Sequence, residues 1–164
     1  KYKGRKKGKK ILICPPSLKV MDMFGQPSPE VWTKQVSEQL RKITSKTIEI
    51  RLKPNRTERV TSKSIQQALN DDVHCLITYN SIAAIEAMME GVPAIVLGQN
   101  AASVISETDL RKVDNPNFPD KETMDAFMAH LSYCQFTIPE MESGFAWRTI
   151  NETSELPLWN PSKK

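Results

Sequence analysis

The stretch VHCLITYNSIAAIEAMMEGVPAIVLG, residues 73–98, decides the fold that the sequence predicts. It begins with an apolar run at 73–80, which is typical of a buried strand. Residues 81–91 carry apolar side chains at helical spacing and end at a glycine, as helices commonly do. A second short apolar run follows at 93–98. A strand, a helix and a strand in this order predict a βαβ unit with parallel strands.

The same alternation extends towards the N-terminus. Strands are predicted at 9–17, where two prolines end an apolar run, and at 47–54, where apolar and polar residues alternate. Helices are predicted at 28–44, which starts with a serine cap and a proline, and at 62–70. Residues 18–28 are predicted to be a loop. The order β-α-β-α-β-α-β predicts an α/β fold, a Rossmann-like parallel sheet flanked by helices.

The last third of the chain has a different pattern. Residues 99–119 are predicted to be mostly loop, with a short strand near 104–106. Helices are predicted at 120–137 and at 138–151, the second interrupted by Gly144. The expected organisation is a basic tail or linker, one Rossmann-like domain and an extended C-terminal tail, at residues 1–10, 11–151 and 152–164.

Charge is distributed unevenly along the chain. The 164 residues carry 23 Lys and Arg against 19 Asp and Glu, a net charge of +4. Residues 1–10 hold seven positive charges and no negative one, whereas residues 64–164 hold six positive and fourteen negative. We interpret the basic start as a linker. The alternative is a segment that attracts nucleic acid by neutralising its phosphates.

Cysteine and histidine usage gives no metal or nucleophile pattern. The three cysteines are an odd number without CxxC spacing, which indicates a reduced, cytoplasmic protein without a structural zinc site. No apolar run reaches the ~18–20 residues of a membrane span. Four residues are interpreted as structural, because no further metal ligand or catalytic base lies at a suitable spacing from them: Cys14, Cys75, His74 and His130.

Ligands of open parallel sheets bind beyond the carboxyl ends of the strands. Arg51 and Lys53 are two residues apart on a predicted strand, so their side chains project to the same side. Ser81 lies where the third helix begins, and free backbone N–H groups there favour an anion. The residues predicted to bind phosphate at these strand ends are Ser17, Arg51, Lys53, Asn80, Ser81 and Ile82.

Glu86 lies five residues after Ser81, within reach of the same rim. A carboxylate there can accept hydrogen bonds from the two hydroxyls of a ribose; the alternative is a helix glutamate that faces solvent. No GxGxxG follows the first strand and no Walker lysine motif is present. The sequence therefore disfavours dinucleotide oxidoreductases and P-loop NTPases.

The segment YNSIAAIEAMMEGVPAIVLG (79–98) resembles the nucleotide-sugar-binding segment of glycosyltransferases with the GT-B fold, especially capsule-polysaccharide-type enzymes. RLKP (51–54) resembles the basic-residue-plus-proline element that precedes it in that family. The chain is also similar to the carboxyl-terminal half of phage-encoded members. The resemblance implies that Ser81 and the following amides hold a diphosphate, that Glu86 binds ribose, and that Gly91 and Pro93 shape a turn.

The resemblance further implies that Arg51 and Lys53 stabilise the departing diphosphate without a metal or cofactor. The family's histidine after the proline is replaced by Asn55, so no catalytic role beyond phosphate binding is expected in that loop. A GT-B enzyme has two Rossmann-like domains, and this chain has room for one. We therefore expect the donor-binding half of a glycosyltransferase, inactive without an acceptor domain or partner chain.

The implied substrate is a nucleoside diphosphate sugar. The implied acceptor is a polysaccharide or, for a phage-encoded enzyme in the host cytoplasm, a hydroxymethylated base in DNA. One alternative is a nucleotide-sugar epimerase, although that family has Ser-Gly-Gly where Asn80-Ser81-Ile82 stands here. Another is a non-enzymatic module that binds nucleic acid or a protein partner.

Overall fold

The computed structural model describes residues 2–53 and 62–152. Pro54 and Asn55 lie outside the described residues, as does the predicted C-terminal tail after Glu152. The chain divides into two compact units, Lys1–Pro119 and Asp120–Lys164.

The first unit contains one parallel four-stranded sheet. Its strands are β1 (Lys10–Ile13), β2 (Thr47–Ile50), β3 (Val73–Thr78) and β4 (Ala94–Val96), in the spatial order β2-β1-β3-β4. All three strand pairs are parallel, which confirms the predicted α/β, Rossmann-like architecture. Ile13 pairs with Ile50 on one side and with Ile77 on the other. The carboxyl ends of β1, β2 and β3 therefore lie side by side.

Four helices connect these strands and cover both faces of the sheet. They are α1 (Leu18–Met23), α2 (Pro29–Leu40), α3 (Ile65–Leu69) and α4 (Ala83–Met89). Alternate residues of β1 face opposite sides, as the two-residue period of a strand requires. The first core cluster joins β1 to α1 and α2, and the second joins it to α3 and α4. The sheet thus separates an α1–α2 layer from an α3–α4 layer.

Two local predictions are wrong. Residues 18–28, predicted to be a loop, contain α1, a helix too short for its periodicity to be visible in the sequence. The strand predicted near 104–106 is displaced: a 3₁₀ turn occupies Ala101–Val104, and a single parallel bridge joins Glu107 to Ile95. The side chain of Asn100 accepts a hydrogen bond from the Ala102 amide at 2.9 Å, which starts a helical turn instead of a strand.

The second unit is helical. It contains α5 (Lys121–Tyr133), α6 (Ile138–Glu142) and α7 (Phe145–Glu152). Gly144 separates α6 from α7, as the sequence predicts. Within residues 2–53 and 62–152, no helix combines the length and apolar character needed to cross a membrane.

The basic segment before β1, predicted to be a tail or linker, packs along the amino-terminal edge of the sheet. The Lys6 amide donates to the Gly91 carbonyl at 2.7 Å, and the Lys9 amide donates to the Asp72 carbonyl at 2.9 Å. The Lys3 ammonium lies 2.6 Å from a carboxylate oxygen of Glu90. Part of the positive charge of this segment is therefore paired within the protein.

Candidate functional site

A cleft of about 760 Å³ opens at the carboxyl ends of β1, β2 and β3. It lies at the edge of the sheet opposite to the N-terminal segment, where open α/β sheets bind their ligands. The structure brings all seven ligand residues predicted from the sequence to this cleft: Ser17, Arg51, Lys53, Asn80, Ser81, Ile82 and Glu86.

One wall of the cleft is cationic. Arg51 follows β2, and its Nη2 donates to the Lys63 carbonyl at 2.9 Å, which fixes the guanidinium against the segment before α3. The Lys53 and Lys63 side chains line the same cleft. Sequence reasoning missed Lys63. Ser64 caps the observed helix, so Lys63 precedes it; a serine followed three residues later by Gln67, the pattern of a capping box, is the signal that could have placed Lys63 before the helix.

Asp71, which precedes β3, pairs with Lys63. Its carboxylate oxygen lies 3.1 Å from the Lys63 ammonium and 3.3 Å from that of Lys10. Hydrogen bonds from Lys63 and Lys10 lower the pKa of the Asp71 carboxyl below its usual value. Asp71 therefore stays ionised at neutral pH and keeps the two ammonium groups together.

The start of α4 differs from the sequence expectation. The Ser81 amide donates to Thr78 Oγ1 at 3.3 Å, and the Ala83 amide donates to Ser81 Oγ at 3.3 Å. The Asn100 side chain donates to the Ser81 carbonyl at 2.9 Å. These amides are therefore paired rather than free, because Thr78 and Ser81 cap the turn themselves.

Glu86 and Cys14 complete the polar part of the cleft. Among the described residues, no Lys or Arg lies within ion-pair distance of the Glu86 carboxylate, so it is available to a ligand. Cys14 is buried at the end of β1 and lines the cleft. Burial raises the pKa of its thiol to about 12. Cys14 therefore remains a neutral thiol and is not an activated nucleophile.

The opposite wall is apolar and comes from α1. Val20, Met23 and Phe24 line the cleft, and the Phe24 ring meets the Tyr79 ring edge-on at a centroid distance of 6.0 Å. The Tyr79 ring in turn meets Trp32 at 6.5 Å. Sequence reasoning missed this wall because it treated 18–28 as a loop.

The histidine and cysteine of β3 are structural. His74 is buried, its Nε2 lies 2.9 Å from the Val113 carbonyl oxygen, and burial lowers the pKa of its imidazole. Burial raises the pKa of the Cys75 thiol. In the part of the chain that the structure describes, no group of three or more His, Cys, Asp and Glu is arranged to hold a metal ion.

Comparison with known proteins adds no family to this description. No model of a protein family matches the chain, and no curated protein is significantly similar to it in sequence. The fold and the side chains of the cleft are therefore the basis for the function proposed below.

Proposed function

We propose that this chain is the donor-binding domain of a glycosyltransferase and that the cleft binds a nucleoside diphosphate sugar. One observation carries the proposal. Three cationic side chains converge in a single cleft at the carboxyl ends of parallel strands, together with the Glu86 carboxylate, which has no ion-pair partner among the described residues. The cleft volume of about 760 Å³ lies within the range of about 300–1,000 Å³ that is usual for small-ligand sites.

The cationic wall has the chemistry to bind a diphosphate. Lys63 is paired with Asp71, so the positive charge of Arg51 and Lys53 is what the lining offers an anionic ligand. Arg51 uses one N–H for the Lys63 carbonyl and presents other N–H groups of the guanidinium to phosphate oxygens. Lys53 has no acidic partner among the described residues, so its ammonium is free to approach a phosphate.

Glu86 supplies the complementary function. An ionised carboxylate is an acceptor only, so it favours hydroxyl donors and repels phosphates. The two adjacent hydroxyls of a ribose satisfy both carboxylate oxygens. A ligand with a diphosphate at the cationic wall and a ribose at Glu86 is a nucleoside diphosphate.

The proposed reaction transfers the sugar to a hydroxyl. The acceptor oxygen attacks the anomeric carbon, the bond from that carbon to the phosphate oxygen breaks, and the diphosphate leaves with the electron pair. Arg51, Lys53 and Lys63 stabilise the negative charge that develops on the leaving group. The acceptor proton passes to a base, which in enzymes of the resembled architecture belongs to the acceptor domain.

Nucleic-acid binding through the N-terminal segment has less support. Lys3 and Lys6 pair with Glu90, and Lys10 pairs with Glu49 and Asp71. Each of these pairs has to open, or accept a second partner, before the lysine neutralises a nucleic-acid phosphate. In the cleft, Lys63 is likewise paired with Asp71, but Lys53 has no acidic partner among the described residues.

Equilibrium binding of nucleoside diphosphates tests the proposal. At about 4 Å, two unit charges attract by about 1 kcal/mol in water and about 4 kcal/mol at an effective dielectric constant of 20. Because Lys53 is exposed, we expect Lys53→Gln to weaken binding by about 1–2 kcal/mol, roughly 5–30-fold. Added salt should shrink this difference.

Lys34→Gln is the matched control, because Lys34 is an exposed lysine of α2 outside the cleft. It should leave the affinity within about twofold. Failure of every nucleoside diphosphate to bind the wild-type protein refutes the proposal. Equal effects of Lys53→Gln and Lys34→Gln would also refute it, because the loss would then be a general effect of charge.

A further inference from the structure

We propose that α1 is the binding surface for the nucleobase, with the Phe24 ring as the platform on which the base stacks. This inference rests on the proposed function, because it assigns a position to one part of the nucleoside diphosphate. It concerns the wall of the cleft that the cations do not occupy.

Several large hydrophobic side chains of the apolar wall are exposed in the cleft instead of being buried in the core. Met23 is 74% exposed and Phe24 is 39% exposed, and both line the cleft. Ile82, 64% exposed, lines it from the start of α4. Large apolar side chains that cluster in a concave site beside a few charged groups are typical of a ligand pocket.

The backbone around Phe24 is fixed by the end of α1. The Gln26 amide donates to the Met21 carbonyl at 2.9 Å, and the Gly25 amide donates to the Asp22 carbonyl at 3.0 Å. Gly25 has a φ of +60°, the left-handed conformation that this helix ending requires. Phe24 is the last residue before that turn, so its Cα is held on both sides.

The Phe24 ring is also supported from behind. The Tyr79 ring meets it edge-on at 6.0 Å, and Tyr79 packs against the buried core on the α1–α2 side of the sheet. A ring that is already ordered loses little conformational freedom when a ligand stacks on it. Phe24 is therefore a preorganised aromatic surface with part of its area open to the cleft.

The chemistry of the two walls selects the ligand class. Arg51 and Lys63 belong to the α3 side of the cleft, and Phe24 belongs to the α1 side. A ligand that contacts both walls needs an anionic group and a planar apolar group in one molecule. A nucleoside diphosphate has both, whereas pyrophosphate has only the anion. The proposal therefore predicts different effects of the α1 wall on these two ligands.

The test compares two probes by calorimetry: inorganic pyrophosphate, and the tightest binder among the diphosphates of uridine, cytidine, adenosine and guanosine. We expect the nucleotide to bind wild-type protein at least tenfold more tightly than pyrophosphate. Base–aromatic stacking is worth about 1–3 kcal/mol. Phe24→Leu should therefore raise the dissociation constant of the nucleotide roughly 5–150-fold and leave that of pyrophosphate within about twofold.

Three further variants complete the design. Phe24→Tyr keeps the ring and should retain nucleotide affinity. Met23→Ser changes an exposed side chain that the fold does not bury, so it tests the wall even if Phe24→Leu fails to fold, and should weaken nucleotide binding about threefold. Phe145→Leu, at an exposed phenylalanine of α7, is the matched control and should change neither affinity.

The outcomes separate the two proposals. If the nucleotide binds and Lys53→Gln weakens it, but Phe24→Leu and Met23→Ser do not, the inference about α1 is wrong and the proposed function stands. Equal losses for nucleotide and pyrophosphate in Phe24→Leu also overturn the inference, because stacking is then not what was removed. If no nucleoside diphosphate binds the wild-type protein, both proposals fall.

Discussion

Gly98→Ala should disrupt the aromatic support of the cleft. A Cβ atom at Gly98 would lie 2.7 Å from Cζ of Tyr79 and 2.8 Å from both of its Cε atoms. The two backbones cannot easily separate, because the Gly98 amide donates to the Tyr79 carbonyl at 2.8 Å. The ring cannot easily move either, since Phe24 lies against one side of it and Trp32 against another.

The cost of this substitution follows from these contacts. Overpacking typically costs about 1–3 kcal/mol. Displacing the Tyr79 ring also weakens two edge-on aromatic contacts, which are worth about 0.5–1.5 kcal/mol each. We expect Gly98→Ala to lower the free energy of unfolding by about 2–4 kcal/mol, measured by urea titration. Because Tyr79 supports Phe24, the variant should also weaken nucleotide binding.

A double-mutant cycle isolates the clash. Leucine in place of Tyr79 lacks the ring atoms that the new methyl group would meet. In a Tyr79→Leu background, Gly98→Ala should therefore be neutral or stabilise by about 0.4–1 kcal/mol through the unfolded state. Gly4→Ala is the control, because a Cβ at Gly4 meets nothing within 4 Å. Equal costs of Gly98→Ala in the two backgrounds would refute the reasoning.

Three further predictions concern stability and reactivity. Burial lowers the pKa of the His74 imidazole below 6.5. As pH falls, the unfolded chain therefore binds a proton at this residue before the folded protein does, and the free energy of unfolding should decrease below about pH 6.5. A His74→Gln variant should lose that part of the pH dependence of urea unfolding. Ser64→Ala removes a capping box and should lower the free energy of unfolding in urea by about 1 kcal/mol. Ser17→Ala should leave it almost unchanged, because the Ser17 side chain makes no capping hydrogen bond. In native protein at pH 8, iodoacetamide should label exposed Cys134 and spare buried Cys14, whose thiol has a pKa of about 12. Mass spectrometry of the labelled chain would show which cysteine has reacted. Rapid labelling of Cys14 would contradict its burial.

The sheet was predictable because its strands are short and apolar and end at clear turn residues. β3 is buried at all six positions, and four of them, Val73 and Cys75–Ile77, are apolar, which makes the strand recognisable in the sequence. Arg51 and Lys53 were predicted to lie on a strand over 47–54, but β2 ends at Ile50, so both residues follow the strand. Both line the cleft as expected.

The remaining features depend on tertiary contacts that the sequence does not display. α1 has six residues, of which only Met21 is buried, so no helical period can be recognised. Without α1, Phe24 could not be assigned to a wall of the cleft. The pairing of the Ser81 amide depends on Thr78, whose hydroxyl could equally have bonded elsewhere. Lys63 follows no strand end and falls within the helix predicted at 62–70, so the sequence did not place it at the cleft.

The row of rings from Phe24 through Tyr79 to Trp32 gives the protein a built-in optical reporter. Trp32 is buried, and only Tyr79 separates its indole from the ring that faces the cleft. We expect a ligand that stacks on Phe24 to alter the surroundings of that indole and so to change its emission. After Trp147→Phe and Trp159→Phe remove the other two indoles of the chain, fluorescence titration can follow binding without any attached dye.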